Sequence, residues 1–523
     1  MKLEDHPYAD ILLQLRKIKS DSIQVIITRP PIIQRVLARD SVDLVKTYQD
    51  NLLLLNDVWT ESLRVLRNDG TMWIIIDNYF YDGQILQVPF TLSKNIQSVG
   101  FMFRNIIIWY NTYSEHLSRD LTNRYSCNLF FAKNMNYKFD KDPVREPHIW
   151  KDYEWGGGRR SRYNPKGKDP SNFWLKTDSE KGKTTRYVML RLEEMISRCI
   201  LASTNEKDRV LDIFAENSPT AKISKQLNRV PLSCFSRLKY SVELPRLSVG
   251  KKAINEILHN SPEFTNSIYI NSSEEMNEVD DASVQVIVTS PPYWGMRDYG
   301  VSGQIGFDES YSKYLDRLKT VGKECYRVLK MNGSLWININ KRFIGGNILL
   351  FPEDVIEKMR DIGFYLKEIV IWHKPVFVPG TGPKNFADRH EYILFFTKSK
   401  DNYLLKAAGF RQSEYINLEN DKVTNVWRMY RKIGNIGKSL QVMIKDRKIK
   451  HTAVYPKELV RRIILLCSNK GDVILDPFAG SGTTAVVANH LGRKWICYEI
   501  NPDYKEIINW RLSREGQSLV NWL

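Results

Sequence analysis

The sequence predicts an α/β protein built from two tandem copies of one domain. Apolar, β-rich runs alternate with helical patterns along the chain, as in a mostly parallel sheet with helices on both faces. The same segments recur, in the same order, 261 to 265 residues later. The length of 523 residues exceeds one ordinary core, while 42% hydrophobic and 26% charged residues describe a globular chain.

The first repeated element is Thr28-Arg-Pro-Pro-Ile32, which follows the apolar run Ile23–Ile27. Its partner, Thr289-Ser-Pro-Pro-Tyr293, follows Val284–Val288. Next, Glu61–Gly70 is echoed by Glu324–Gly333, each leading into a Trp-containing strand pattern. Arg124–Lys133 and Arg389–Lys398 share a Leu-Phe-Phe core, and Val210–Ala215 matches Ile474–Ala479 through Leu-Asp-x-Phe-Ala. The junction is expected at Ser241–Asn266, where Pro245, Gly250 and Pro262 punctuate a short helical stretch. Domains are therefore expected over 1–245 and 246–523.

Several classes drop out. No apolar run approaches the roughly 18 residues of a membrane span. Met1-Lys2-Leu3-Glu4-Asp5 has no apolar signal core. The six cysteines (127, 199, 234, 325, 467 and 497) form no C-x-x-C pair. They are expected to be reduced core thiols of a cytoplasmic protein, with neither a disulfide framework nor a metal site. The net charge of +17 suits a polyanionic partner, although colloidal solubility accounts for an excess equally well.

The chemistry-bearing residues sit in the C-terminal copy. Asp472–Leu475 reads as a buried strand, Asp476-Pro-Phe-Ala-Gly-Ser-Gly-Thr-Thr484 as the turn after it, and Ala485–His490 as the start of a helix. Strand, glycine turn and helix make a nucleotide crevice at the carboxyl end of a sheet. Gly480 and Gly482 allow close backbone approach, and Thr483 or Thr484 can cap the helix. Glu499 ends the next strand, 23 residues after Asp476, at the spacing of a carboxylate that holds ribose hydroxyls. Taken alone, this could equally be a tight turn beside a surface acid.

Ser290-Pro291-Pro292-Tyr293 closes an earlier strand. Consecutive prolines hold their carbonyls rigidly, Ser290 adds a hydroxyl, and Tyr293 and Trp294 add aromatic faces. A structural turn covering the core fits a bare S-P-P-Y. The functional alternative is a set of acceptors aimed at an exocyclic amine. Such an amine is a poor nucleophile because its lone pair is delocalised into the ring. Hydrogen bonds to Ser290 and the Pro291 carbonyl would localise that pair, and Tyr293 could stack on a base extruded from the duplex.

Together these segments resemble the amino-methyltransferase family that modifies N4 of cytosine or N6 of adenine in DNA. The resemblance spans most of Ile268–Leu512. It includes Thr289–Trp294, Asp298-Tyr299-Gly300, Gln304-Ile305-Gly306, Arg327-Val-Leu329, His390-Glu391, Tyr455-Pro456 and Asp476–Thr484. With the Pro-Pro segment before the glycine turn, the order is similar to the permuted β arrangement of that family. The resemblance implies two Rossmann-like methyltransferase folds in tandem and S-adenosylmethionine as cofactor. It implies Ser290, Pro291, Pro292 and Tyr293 as catalytic residues. It places Asp476, Pro477, Phe478, Ala479, Gly480, Ser481, Gly482 and Thr483 at the cofactor and Glu499 on its ribose. Asn271-Ser272 stands where relatives often carry Gly-Asp against the cofactor adenine. Ser290 stands where adenine-modifying relatives tend to carry Asp, so the resemblance leans towards cytosine N4.

The N-terminal copy departs at each of these places. Glu216, Asn217 and Ser218 replace Gly480, Ser481 and Gly482, Phe235 replaces Glu499, and Arg29 and Ile32 replace Ser290 and Tyr293. This half is expected to be catalytically silent. Its segment 134–186 holds 13 Lys/Arg against 8 Asp/Glu, interleaved with Trp150, Tyr153, Trp155, Tyr163 and Trp174. Arg159, Arg160, Arg162, Lys166 and Lys168 there suit an arm that tracks a nucleic-acid backbone, and a solvated loop is the plainer alternative. In the C-terminal copy, region 399–450 is the expected target-recognition region. Its part Trp427–Lys450 has 8 basic residues, among them Arg428, Arg431 and Lys432, against one acid. The expected protein is a monomeric internal pseudodimer that methylates a base flipped from double-stranded DNA. Adenine N6 methylation or an RNA substrate is the chemical alternative, and a non-catalytic nucleic-acid-binding protein is the rival of another class. A cognate restriction endonuclease is a candidate partner, and no membrane association is expected.

Overall fold

A computed structural model describes residues 6–31, 44–111, 121–146, 164, 166–178, 186–216, 218–236, 266–374, 386–406, 423–429, 440–444, 447–451 and 455–515. The expected junction falls largely outside them. In the N-terminal half, α1 (Ala9–Lys17) precedes β1 (Ile23–Thr28), and α2 (Leu44–Val65) leads into β2 (Leu66–Ile76). A hairpin follows, β3 (Tyr79–Tyr81) and β4 (Gln84–Leu86), then α3 (Val88–Ser98), β5 (Met102–Tyr110), β6 (Tyr125–Ala132) and β7 (Phe173–Trp174). A second hairpin, β8 (Lys176–Asp178) and β9 (Arg186–Val188), precedes α4 (Leu192–Ser203), β10 (Arg209–Asp212), α5 (Thr220–Gln226) and β11 (Val230–Ser233).

The C-terminal half opens with β12 (Ser267–Tyr269) and β13 (Val284–Thr289), followed by α6 (Tyr311–Val328) and β14 (Leu329–Ile339). Then come the hairpin β15 (Arg342–Ile344) and β16 (Asn347–Leu349), α7 (Phe351–Ile362), β17 (Tyr365–His373), β18 (His390–Thr397) and β19 (Val426–Arg428). The ribbon β20 (Leu440–Ile444) and β21 (Arg447–His451) precedes α8 (Lys457–Cys467), β22 (Val473–Asp476), α9 (Thr483–His490), β23 (Lys494–Tyr498) and α10 (Pro502–Glu515).

The repeat is a repeat of topology. The N-terminal sheet runs β11-β10-β1-β2-β6-β5-β7, and the C-terminal sheet runs β12-β23-β22-β13-β14-β18-β17-β19. From β11/β23 to β7/β19 the strands correspond one to one. β1 (IQVIIT) and β13 (VQVIVT) are buried along their whole length, as continuous apolar strands of a sheet covered on both faces must be. Both break register with their neighbour at the same place, between Ile23 and Val25 and between Val284 and Val286. One feature departs from an all-parallel reading. β6 and β18 run antiparallel to the strands on either side, so each sheet carries a reversed strand towards one edge.

The halves also differ at the other edge. β12 pairs with β23 in the C-terminal sheet. In the N-terminal sheet α1 stands beyond β11. The Gln14 amide there accepts from Phe235 N at 3.1 Å and donates to Phe235 O at 2.6 Å, standing in for a strand partner.

The two halves contact each other reciprocally. Asn172 Oδ1 accepts from Arg389 N at 2.8 Å, and Asn425 Oδ1 accepts from Arg124 N at 3.0 Å. Asn172 Nδ2 donates to Asp388 at 2.7 Å, and Asn425 Nδ2 to Asn123 at 2.9 Å. Arg104 donates to the Gly346 carbonyl and Lys367 to the Gly83 carbonyl, one hairpin turn each. These are the same bonds made twice, once from each side. Both asparagines are buried, so losing one strands an amide at a cost of about 1–3 kcal/mol.

Candidate functional site

The two segments singled out in the C-terminal sequence meet at the carboxyl ends of β13 and β22. Thr289, the last residue of β13, donates its hydroxyl to Asp476, the last residue of β22, at 2.9 Å. Asp476 is fully buried and also accepts from Thr484 Oγ1 at 2.6 Å, Tyr455 OH at 2.8 Å and Phe478 N at 3.1 Å. Burial raises its carboxyl above the ordinary range, and the Thr484, Tyr455 and Thr289 hydroxyls pull against that rise. Asp476 thus ties the glycine turn to the Pro-Pro segment.

The turn is built on two left-handed glycines. Gly480 has φ +52° and Gly482 φ +73°. A Cβ on Gly482 would stand 2.7 Å from Ile508 Cγ1, so α10 excludes any side chain there. Gly482 itself is the N-cap of α9. Thr483 and Thr484, read from the sequence as caps, make no side-chain cap. Thr484 is drawn to Asp476 instead, and Thr483 Oγ1 accepts from Arg511 Nη1 at 2.9 Å. Ser481 is buried, with its carbonyl also on Arg511 at 2.9 Å. Glu499 accepts from Gly480 N and Asn501 N, both at 2.8 Å, and burial pushes its carboxyl up to about 7. Asn271 and Ser272 follow β12, whose Tyr269 carbonyl accepts from Glu499 N at 3.0 Å, so they lie at the same end.

In the Pro-Pro segment, Tyr314 donates to the Pro292 carbonyl at 2.8 Å, while the Pro291 carbonyl has no protein donor among the described residues. Tyr293 packs edge-to-face with Phe351 at 6.0 Å. Burial holds its phenol well above the ordinary range, Glu391 adding to the rise and the Ser290 hydroxyl opposing it. Behind Pro291, Pro477 and Phe478 lies a small apolar pocket, bounded by Leu318, Gly322 and Met359. The position of Gly322 is taken in the N-terminal half by Trp59, which is fully buried.

Charged residues stand near Tyr293, and of these only Glu391 is named among the sequence motifs above. Lys374 Nζ donates to Glu391 at 3.0 Å, Lys341 Nζ to Asp388 at 2.9 Å, and Asn338 Nδ2 to Glu391 at 3.0 Å. The corresponding N-terminal residues are Asn111, Ser126, Asn78 and Asn123, all neutral. Comparing the copies position by position was the signal that could have found this quartet.

The N-terminal half fills the same places with its own side chains. Arg29, at the Ser290 position, pairs with Asp77 at 3.0 Å. Asn51 stands where Tyr314 does, and Tyr8 reaches in to bond both Asn51 Oδ1 at 2.6 Å and the Pro31 carbonyl at 3.3 Å. Glu216, at the Gly480 position, accepts from Ser236 N.

Of the basic residues expected at nucleic acid, Lys166 pairs with Asp142 at 2.5 Å, Lys168 with Glu146 at 3.1 Å, and Arg428 lies on β19. Arg159, Arg160, Arg162, Arg431 and Lys432 lie outside the described residues. All six cysteines are buried, and none forms a disulfide. Among the described residues no cluster of His, Cys, Asp and Glu could hold a metal, and no helix is long and apolar enough to cross a membrane.

The glycine turn and the Pro-Pro segment thus meet at the carboxyl ends of parallel strands, the place where α/β folds form nucleotide crevices. The profile of the DNA methylase family matches residues 23–275 and again 284–509, and the chain belongs to that family, in tandem. S-adenosylmethionine, the expected cofactor, agrees with that membership. Type II methyltransferase M.Cfr9I of Citrobacter freundii is 31% identical over 274 residues, 47% of this chain and 86% of that protein. M.MjaI of Methanocaldococcus jannaschii is 33% identical over 278 residues, 46% and 89% respectively. Among solved structures, a DNA modification methylase of Thermus thermophilus bound to S-adenosyl-L-methionine is 29% identical, with TM-score 0.34, over 49% of this chain and 98% of that one.

Proposed function

We propose that the C-terminal half transfers a methyl group from S-adenosylmethionine to an exocyclic amine of a DNA base, cytosine N4, and that the N-terminal half is catalytically silent and helps hold the DNA. The observation that carries this reading is the Thr289–Asp476 bond, which fixes the acceptor segment against the glycine turn. The site fits the cofactor through Gly480 and Gly482, which keep side chains out of the turn, and through Glu499, whose oxygens can still accept from ribose hydroxyls. Bound there, the cofactor supplies an electrophilic methyl on sulfur.

The protein's own part is positional. Ser290 Oγ and the Pro291 carbonyl accept the two N–H bonds of the amine and concentrate its lone pair on nitrogen. Tyr293, fixed by Phe351, lies against the base plane. On taking up the methyl group, the amine nitrogen would carry one proton too many and would lose that N–H proton to solvent. Orientation of this kind is worth several orders of magnitude in rate without a covalent intermediate.

In the N-terminal half Arg29, paired with Asp77, stands where the Ser290 acceptor would be, which supports a silent role. The basic residues 159–168 and 428–432 support contact with the DNA backbone. The relatives named Type II methyltransferases support a restriction–modification setting with a partner endonuclease. Methylation-aware sequencing of DNA from cells expressing the chain, with mass spectrometry of the nucleosides, tests the reading. N4-methylcytosine at one recurring site is expected. Methyladenine alone would replace the base assignment, and unmodified DNA would remove the enzymatic reading.

A further inference from the structure

The hairpin β15–β16 leaves β14 beside the Pro-Pro segment. Arg342 ties it there: its Nη2 donates to the Gly295 carbonyl at 3.1 Å, and its guanidinium lies 5.6 Å from the Trp294 ring centre. The far end of the turn is pinned by Arg104 at the Gly346 carbonyl. Between these anchors the hairpin shows apolar side chains to solvent. Phe343 is 45% exposed and Ile344 42% exposed. Gly345 has φ +56°, and no atom lies within 4 Å of where its Cβ would be, so the turn is narrow and open. Met296 and Phe307, 50% and 42% exposed, flank it through the Gly295–Gly306 backbone bond.

The N-terminal half supplies the contrast. Phe80 and Tyr81 occupy the positions of Phe343 and Ile344, yet they pack against the core. One framework therefore packs these side chains, partly buried, against the core in the half that lacks the acceptors and exposes them in the half that has them. Isolated exposed hydrophobes need no explanation, but a rigid apolar turn bracketed by arginines at the edge of a catalytic segment does.

We propose that Phe343 and Ile344 form a wedge that enters double-stranded DNA where the target base leaves the stack. The inference rests on the DNA methyl-transfer reading above. Extruding a base costs unstacking energy, and apolar side chains placed between base steps offset it. The flanking cation, Arg342, and the chain's +17 charge suit the surrounding phosphates.

The test uses the full chain and two duplexes bearing the methylated site, one with the target base normally paired and one with it mismatched, so that extrusion is already easy. For F343A/I344A, single-turnover methylation of the paired duplex should fall about ten- to a hundredfold. The rate on the mismatched duplex should stay within about threefold of the parent, with S-adenosylmethionine affinity unchanged. F343L, which keeps an apolar wedge, should retain most of the paired-duplex rate. Parent-like rates on both duplexes would overturn the proposal. So would equal losses on both, which would make the hairpin a brace for Gly295. If the parent methylates neither duplex, the methyl-transfer reading falls and takes the wedge with it.

Discussion

Lys374 and Glu391 face each other at 3.0 Å in the C-terminal half, where Asn111 and Ser126 face each other at 2.8 Å in the N-terminal half. The two frameworks thus solve one contact in two ways, by a partly exposed charge pair and by a buried neutral hydrogen bond.

That equivalence makes the pair exchangeable as a unit. K374N alone should destabilise by about 1–3 kcal/mol, because it leaves the partly buried Glu391 carboxylate with the neutral Asn338 amide and no cation at 3.0 Å. K374N/E391S should recover much of that loss, giving a coupling of about 1–3 kcal/mol in a double-mutant cycle read by urea unfolding. Additive losses would show that the two sites are energetically independent.

One cofactor molecule should bind per chain. G482A should lose binding, since its Cβ would press on Ile508 from a left-handed backbone. Titration calorimetry giving a stoichiometry near two, or an undiminished G482A, would contradict the assignment of the crevice to the C-terminal half.

S290A and Y293A should lower the single-turnover methylation rate by about a hundredfold or more while leaving cofactor affinity within a few-fold. Both residues are assigned to the base and not to the cofactor. Rates within a few-fold of the parent would refute those roles.

Cofactor affinity should rise with pH. The Glu499 carboxyl, at about 7 when folded, lies above its unfolded value. Its contribution to stability is therefore full below about pH 4.3 and is lost as pH rises through 7. Ribose hydroxyls donate to the ionised form, so binding should release a proton from Glu499 near neutrality. Affinity should then climb between about pH 6 and 8 and level off, and E499Q should flatten the climb. Calorimetry in buffers of different ionisation enthalpy reads the proton directly, and a flat profile in the parent would exclude this coupling.

Much of the fold was legible because the chain says it twice. Chance does not reproduce Thr-x-Pro-Pro and Leu-Asp-x-Phe-Ala in the same order at offsets of 261 and 264. The Gly480–Gly482 turn was legible because backbone geometry restricts residue choice there. The reversed strands β6 and β18 were not, since a strand buried on both faces has the same composition in either direction. Nor was the fate of Thr484: capping and bonding to Asp476 ask for the same hydroxyl, and only the fold brings Asp476 within reach. Tyr8 escaped for a similar reason, because it completes a site through a residue 23 positions away at Pro31.

The reciprocal contacts between the halves have an evolutionary corollary. In an assembly of identical subunits, one codon change alters both sides of the interface at once, and a change good on one side can be vetoed by the other. Here the two sides are separately encoded. The hairpin contact is already made by an arginine at position 104 and a lysine at 367. Because both sides lie on one polypeptide, their association is also immune to dilution, and the interface persists at copy numbers where a dimer of separate chains would fall apart.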